Sequence, residues 1–129
     1  MIDIEEIRKN PNNQVWYNIS AYQKLTEDFI REFQDKLNWR EISWKQKLSG
    51  DFIKEFQDKV NWINISAYQN LTEDFIKEFQ DKVYWNWISR EQKLSKDFIC
   101  EFSHKIYFKY IIYNKNISNE IKEFCRMFV

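Results

Sequence analysis

The sequence has little glycine, proline, cysteine and histidine, and these shortages argue against flexible linkers and against a metal site. Gly50 and Pro11 are the only residues of their kinds in 129, so connections must be tight turns made of ordinary residues, with no flexible linker. Two cysteines, Cys100 and Cys125, and a single histidine are too few for an ordinary zinc site. We therefore expect free thiols, no metal and no cofactor.

The sequence also lacks an excess of charge and a long apolar run. Twenty Lys and Arg residues balance twenty Asp and Glu residues, which leaves no net field to attract nucleic acid or an anionic membrane surface. No apolar run approaches the roughly 18 to 20 residues of a membrane span, and the start MIDIEEIRKNPNN does not resemble a signal peptide. We expect a soluble intracellular protein with no nucleic-acid or membrane partner.

What the sequence does contain is a repeat with a period of 23 residues. Its unit reads W-x-x-I-S-x-x-Q-x-L-[ST]-x-D-F-I-x-E-F-Q-D-K-[VL], and no insertion interrupts it. The positions that keep this step are Trp16, Trp39, Trp62, Trp85 and Phe108; Ile19, Ile42, Ile65, Ile88 and Ile111; and Gln23, Gln46, Gln69 and Gln92.

The second half of each unit has the pattern of a capped amphipathic helix. Thr26 is the predicted N-cap, since its hydroxyl can accept a free N–H of the first turn. Ser49, Thr72, Ser95 and Ser118 repeat that start. The apolar residues that follow share one helical face: Phe29, Ile30, Phe33 and Leu37.

The first half predicts a shorter helix, so that each unit is a helical hairpin. Its face residues stand at i, i+3, i+4 and i+7: Trp39, Ile42, Ser43 and Gln46. Helices this short are rarely stable alone, and stacking one hairpin on the next would bury their apolar faces. The predicted fold is therefore an all-α solenoid of tandem 23-residue hairpins.

Both ends of the chain depart from the repeat in the way that capping helices do. Asp3 aligns with the Ser/Thr cap, and Ile4–Arg8 predicts a short helix with Ile7 in the core. After Ser118 a new apolar face comprises Ile121, Phe124, Cys125 and Phe128. We predict one domain over 1–129, with an N-terminal cap at 1–15, four regular repeats at 16–107, and a degenerate repeat with a C-terminal cap at 108–129.

The unit W-x-x-IS-x-x-Q-x-LS-x-DFI-x-EFQDKV resembles a tandem-repeat protein family encoded by giant amoeba-infecting DNA viruses. The resemblance covers Trp16 to Ile106. It implies a viral origin and a location in the cytoplasm of the infected host cell. It implies no established activity, and no catalytic or binding residue follows from it.

The recurring polar residues favour a structural role over catalysis. A catalytic group has no reason to be copied into every unit, so we expect Gln23 and its equivalents to tie neighbouring turns by buried hydrogen bonds. Serine would allow close helix approach, and Asp28 would support the helix start. Glu32 precedes Lys36 by four residues, and this spacing, repeated in each unit, predicts ion pairs along a solvated face. We predict no enzyme activity.

The residues that break the repeat are the candidates for function. Trp44 and Trp87 lie outside the 23-residue step, and their positions elsewhere hold alanine, arginine, asparagine or glutamate, which indicates surface. Exposed tryptophan is common at the centre of interfaces. We predict an interaction surface on the first helices, formed by Trp44, Trp87, Tyr17, Tyr22, Ile63 and Tyr68. The alternative is that these rings fold down over the edge of the core.

Two function classes follow. In the first, the protein is a non-enzymatic interaction module or adaptor that binds a host or viral protein through this surface. In the second, it is a structural component of a viral particle or factory and forms a homo-oligomer through the aromatic run from Ile106 to Tyr113. Recognition of single-stranded RNA by stacked helices is a weaker third hypothesis, because the net charge is zero.

Overall fold

The computed structural model describes residues 2–129, which form two compact units, one ending at Asn61 and one running from Trp62 to Val129. Helices make up 59% of the described chain, and these residues contain no strand. The predicted all-α class is confirmed.

Each unit is a succession of short helices. The first contains α1 (Ile4–Lys9), α2 (Trp16–Tyr22), α3 (Glu27–Glu32), α4 (Trp39–Lys45) and α5 (Gly50–Glu55), with a 3-10 turn at Pro11–Asn13. The second contains α6 (Trp62–Tyr68), α7 (Glu73–Glu78), α8 (Trp85–Glu91), α9 (Lys96–Glu101), α10 (Phe108–Ile111) and α11 (Asn119–Cys125), with a 3-10 turn at Arg126–Phe128.

The predicted N-caps are present. The Thr26 hydroxyl accepts the N–H of Phe29 at 3.1 Å, and Ser49, Thr72, Ser95 and Ser118 accept the equivalent N–H groups. Asp3 caps α1 in the same way. A cap of this kind contributes about 1 kcal/mol to a helix, which matters for helices of six or seven residues.

The second helix of each 23-residue repeat is shorter than predicted. The face from Phe29 to Leu37 was expected to form one helix, but α3 ends at Glu32. Phe33 begins a turn in which its carbonyl accepts the N–H groups of both Lys36, at 2.9 Å, and Leu37, at 3.1 Å. Phe33 and Leu37 are nevertheless buried, so the turn supplies core residues that the pattern assigned to a helix.

Successive hairpins pack side by side within each unit. In the first, α2 lies against α4; in the second, α6 lies against α8 and α8 against α10. This sequential packing is that of an α-solenoid and confirms the predicted fold. Each repeat has its own aromatic cluster: the Trp39 ring lies 5.2 Å from Phe56, which lies 4.7 Å from Phe52. The four repeat tryptophans are half-buried, less than the core assignment implied.

Buried serine and glutamine join neighbouring repeats, and the predicted role of glutamine is confirmed. The Gln46 side chain donates to the carbonyls of Ser20 and Gln23 at 2.8 and 2.7 Å, and it accepts the N–H of Leu25 at 3.1 Å. Ser20 does more than allow close approach, because its hydroxyl also accepts, at 2.9 Å, the N–H of Asn38, the residue that caps α4 at the start of the next repeat. Every buried polar group in this junction therefore has a partner.

In the last, degenerate repeat of the second unit, Asn114 makes the contacts that glutamine makes in the other repeats. Gln92 would be followed after 23 residues by Lys115, but α10 has only four residues. Asn114 lies one residue earlier, is fully buried and donates to the carbonyls of Ser89 and Gln92, both at 2.8 Å. The shorter α10 thus places an asparagine side chain, in place of glutamine, against the equivalent pair of carbonyls.

The predicted ion pairs between Glu and Lys four residues apart are wrong. The helices end at the glutamates, so each lysine lies in a turn and the partners come from the neighbouring repeat. Arg8 binds Glu32 through two contacts of 2.6 and 2.8 Å, and this hydrogen bonding lowers the pKa of Glu32. The equivalent pairs are Arg31–Glu55 and Lys77–Glu101. A second set joins Lys59 to Asp35 and Lys105 to Asp81.

The end helices agree with prediction except at Phe128. Helix α1 is present and Ile7 is buried, and Cys125 is fully buried in the second unit. Phe128 was expected on the same buried face, but α11 stops at Cys125 and the 3-10 turn leaves Phe128 55% exposed. Its ring still contacts Phe108 and Phe124.

Candidate interaction surface

The first unit presents three large rings on α2 and α4. Tyr17, Tyr22 and Trp44 are 49%, 72% and 38% exposed. These fractions are high for aromatic side chains, and exposed rings on adjacent helices are the kind of surface that protein partners use. The structure therefore places these three candidate residues at the surface of one pair of packed helices.

The repeat positions of Trp44 and Trp87 were predicted to lie at the surface, and this is wrong for several repeats. The position of Trp44 in neighbouring repeats holds Ala21 and Ala67, which are both buried, and the position of Trp87 holds Glu41, which is only 5% exposed. These positions are not surface positions in every repeat. An alanine is small enough to be covered there, whereas the indole of Trp44 extends into solvent.

Glu41 places a buried carboxylate close to one exposed ring of the first unit, that of Tyr17. Its charge is the largest cause that raises the pKa of Tyr17, followed by desolvation of the hydroxyl, while Arg40 opposes the shift. A neighbouring negative charge disfavours the tyrosinate. Sequence reasoning assigned this glutamate to the surface and therefore missed its link to Tyr17.

Trp44 carries a cation on its ring. The Lys45 ammonium lies 4.0 Å from the indole centroid, within the range of a cation–π contact. This contact fixes one face of the ring beside a basic side chain. A ligand that contacts the exposed part of Trp44 on the Lys45 side would therefore also meet the positive charge of Lys45.

The second unit presents Ile63 and Tyr68, which are 41% and 51% exposed. Trp87 differs from Trp44 because it is half-buried. The Arg90 guanidinium lies between two rings, 5.7 Å from Trp87 and 6.0 Å from Tyr110. Trp87 is thus part of a packed cation–aromatic cluster, which is closer to the alternative prediction that a ring covers the core edge.

A groove lies beside one exposed tyrosine in each unit, Tyr22 in the first and Tyr68 in the second, and the sequence did not predict it. In the first unit it encloses about 450 Å³ between the turn after α2 and the end of α4. The equivalent groove of the second unit encloses about 510 Å³ beside Tyr68. The first is lined by Lys24, Lys45 and Lys47, whereas the second is lined by Lys93 and Glu91. The two grooves therefore differ in charge although the repeat sequence is similar.

The two cysteines have different environments. Cys100 is exposed and Cys125 is buried, and burial raises the pKa of the Cys125 thiol. Among residues 2–129 no three His, Cys, Asp or Glu side chains are grouped so as to hold a metal ion. No helix in this part of the chain is long and apolar enough to cross a membrane.

Comparison with known proteins gives no relative from which to transfer a function. No protein-family model, curated protein or solved structure shows a significant match to the chain. The resemblance to viral tandem repeats therefore stays a prediction, and the candidate surface is judged on its own geometry.

Proposed function

We propose that the chain is a non-enzymatic viral interaction module, an adaptor that binds a host or viral protein in the cytoplasm of the infected cell. The observation that carries the proposal is the group of exposed rings on α2 and α4, Tyr17, Tyr22 and Trp44. Helical solenoids commonly bind partners through one row of helices. The buried polar residues of the repeats are already used in junctions between hairpins, which supports a scaffold rather than a catalyst.

Affinity capture of the tagged protein from infected cells tests the proposal. We expect Trp44→Ala to remove a defined partner while far-UV circular dichroism and thermal unfolding stay close to those of the original protein, because Ala21 and Ala67 occupy the same position in neighbouring repeats. Trp87→Ala should weaken capture less and unfold the protein at lower temperature, since Trp87 packs with Arg90.

A matched control is Tyr84→Ala, which removes a 46% exposed ring from the position before α8. Capture that survives Tyr84→Ala but not Trp44→Ala supports a surface on the first helices. Equal capture by all three variants would contradict the proposal.

A second candidate function is self-association as a structural component of a viral particle or factory. It is favoured by the run from Ile106 to Tyr113, in which Tyr107 and Tyr113 are 51% and 71% exposed. The rings of Tyr107 and Tyr110 stack at 5.7 Å. Sedimentation velocity over a range of concentrations distinguishes the candidates: this one requires concentration-dependent assembly that Tyr107→Ser and Tyr113→Ser weaken, and a strict monomer contradicts it.

A further inference from the structure

The zero net charge conceals a separation of charge within the first unit. The segments that contain its first helices, Trp16–Leu25 and Trp39–Leu48, carry four basic residues, Lys24, Arg40, Lys45 and Lys47, against Glu41 alone. Since Glu41 is buried, the exposed charge of these segments is entirely positive. The segments of the second helices, 26–37 and 49–60, carry seven acidic residues against four basic ones.

Three of the four basic residues line the groove of the first unit. Lys24 lies on the turn after α2, and Lys45 and Lys47 lie at the end of α4 and just beyond it. The other lining side chains include Tyr22, Leu25 and Gln46, and none of the lining residues is acidic. The groove thus combines positive charge with an apolar and aromatic wall.

We propose that this groove binds an acidic peptide segment of the partner protein. The proposal rests on the function proposed above and names the chemistry of the partner. Carboxylates of the segment would pair with Lys24, Lys45 and Lys47, and an apolar side chain between them would pack against Tyr22 and Leu25. Charge complementarity of this kind sets which partners are accepted and how fast they bind.

A nucleic acid fits the same observations less well. A phosphate chain carries a charge at every nucleotide, and beyond the groove it would meet the segments of the second helices, in which acidic residues outnumber basic ones. A short peptide with a few carboxylates ends within the groove, whose volume of about 450 Å³ suits a few side chains. The corresponding groove of the second unit pairs Lys93 with Glu91 and gives an internal comparison.

The test is a fluorescence-anisotropy titration of the full chain with a short labelled glutamate-rich peptide that contains one leucine. We expect saturable binding that weakens with salt, and a loss of about tenfold in the Lys24→Gln, Lys45→Gln, Lys47→Gln variant, as expected for three surface ion pairs. The charge-matched control is Lys36→Gln, Lys54→Gln, Lys59→Gln in the segments 26–37 and 49–60, for which we expect at most a twofold to threefold loss. Lys93→Gln should have no measurable effect.

Absence of peptide binding would overturn the inference, as would an equal loss in the control variant. Tighter binding of a single-stranded oligouridylate that depends on the same three lysines would also overturn it, in favour of RNA. Circular dichroism of each variant confirms that the fold is intact. Failure here leaves the proposed function standing if Trp44→Ala still abolishes partner capture, so the two results can be told apart.

Discussion

Removal of one buried amide should strongly destabilise the second unit. Gln92 is 5% exposed, and its side chain donates to the carbonyls of Ser66 and Gln69, both at 2.8 Å, and accepts the N–H of Leu71 at 3.2 Å. The substitution Gln92→Ala removes all three contacts at once. All three backbone groups lie at the junction between α6 and α8.

The magnitude follows from the cost of buried polar groups without partners. A typical hydrogen bond contributes about 1 kcal/mol net, and a buried group left unpaired costs about 1 to 3 kcal/mol. The two buried carbonyls give a loss of about 2 to 6 kcal/mol, and the part-buried N–H of Leu71 adds about 1 kcal/mol, which together are a large part of the 5 to 15 kcal/mol that stabilises an ordinary domain. Gln80→Ala is the control, because the Gln80 side chain makes one bond, to the carbonyl of Lys77 at 3.0 Å.

Guanidinium chloride unfolding, followed by circular dichroism and by tryptophan fluorescence, measures both variants. We expect a loss of about 1 kcal/mol for Gln80→Ala and a clearly larger one for Gln92→Ala. Two transitions in place of one would show that the second unit unfolds separately. If Gln92→Ala costs no more than Gln80→Ala, the junction is held by apolar packing and the argument from hydrogen bonds is wrong.

The variant Gln92→Glu separates hydrogen bonding from packing, because it preserves the size of the side chain. Its carboxylate would face the carbonyls of Ser66 and Gln69, and burial would raise its pKa above the unfolded value of about 4.3. The folded state then binds the proton more tightly, so stability is greatest at acid pH and is lost as pH rises towards the folded pKa. The opposite pH dependence would contradict the assigned donors.

Two further predictions concern ionisable side chains. The Glu41→Gln substitution should lower the pKa of Tyr17 towards its ordinary value, because Glu41 is the largest cause that raises it; alkaline titration of tyrosinate absorbance, with Tyr17→Phe to assign the signal, measures this. Since the folded pKa is the higher one, this group's contribution to stability is present at neutral pH and lost as pH rises through that pKa. Cys100, which is exposed, should react with a thiol reagent in the native protein, and Cys125 only on unfolding; two reactive thiols in the native state would contradict the burial of Cys125.

The local elements of the fold could be predicted because short-range chemistry determines them. Thr26 and its equivalents cap helices through a contact three residues away, and a sequence displays that spacing directly. The period of 23 residues fixed the order of hairpins. The end of α3 at Glu32 was missed, since Phe33 and Leu37 continue a helical pattern while lying in a turn.

The contacts between repeats were harder to predict because they depend on how hairpins stack. Arg31 pairs with Glu55, 24 residues away, whereas the sequence suggested partners at four. Glu41 is buried although neighbouring repeats hold asparagine at that position. Asn114 takes the role of Gln92 in the last repeat but follows it by 22 residues, so the 23-residue period could not identify it. The sequence does contain a signal for the basic groove, because the first half of each of the first two repeats has more basic than acidic residues when it is counted separately.

The glutamine junction has a consequence for how such a chain can change in length. Gln46 serves the carbonyls of Ser20 and Gln23, and Gln92 serves those of Ser66 and Gln69, so each repeat satisfies the one before it in the same way. Recombination that removes or copies a stretch of 23 residues would rejoin chemically identical junctions and leave no buried carbonyl without a donor. Removal or duplication of a segment whose length is not a multiple of this period would leave buried carbonyls without a donor. Selection for foldability alone is therefore enough to keep the period free of insertions while the exposed first-helix residues vary.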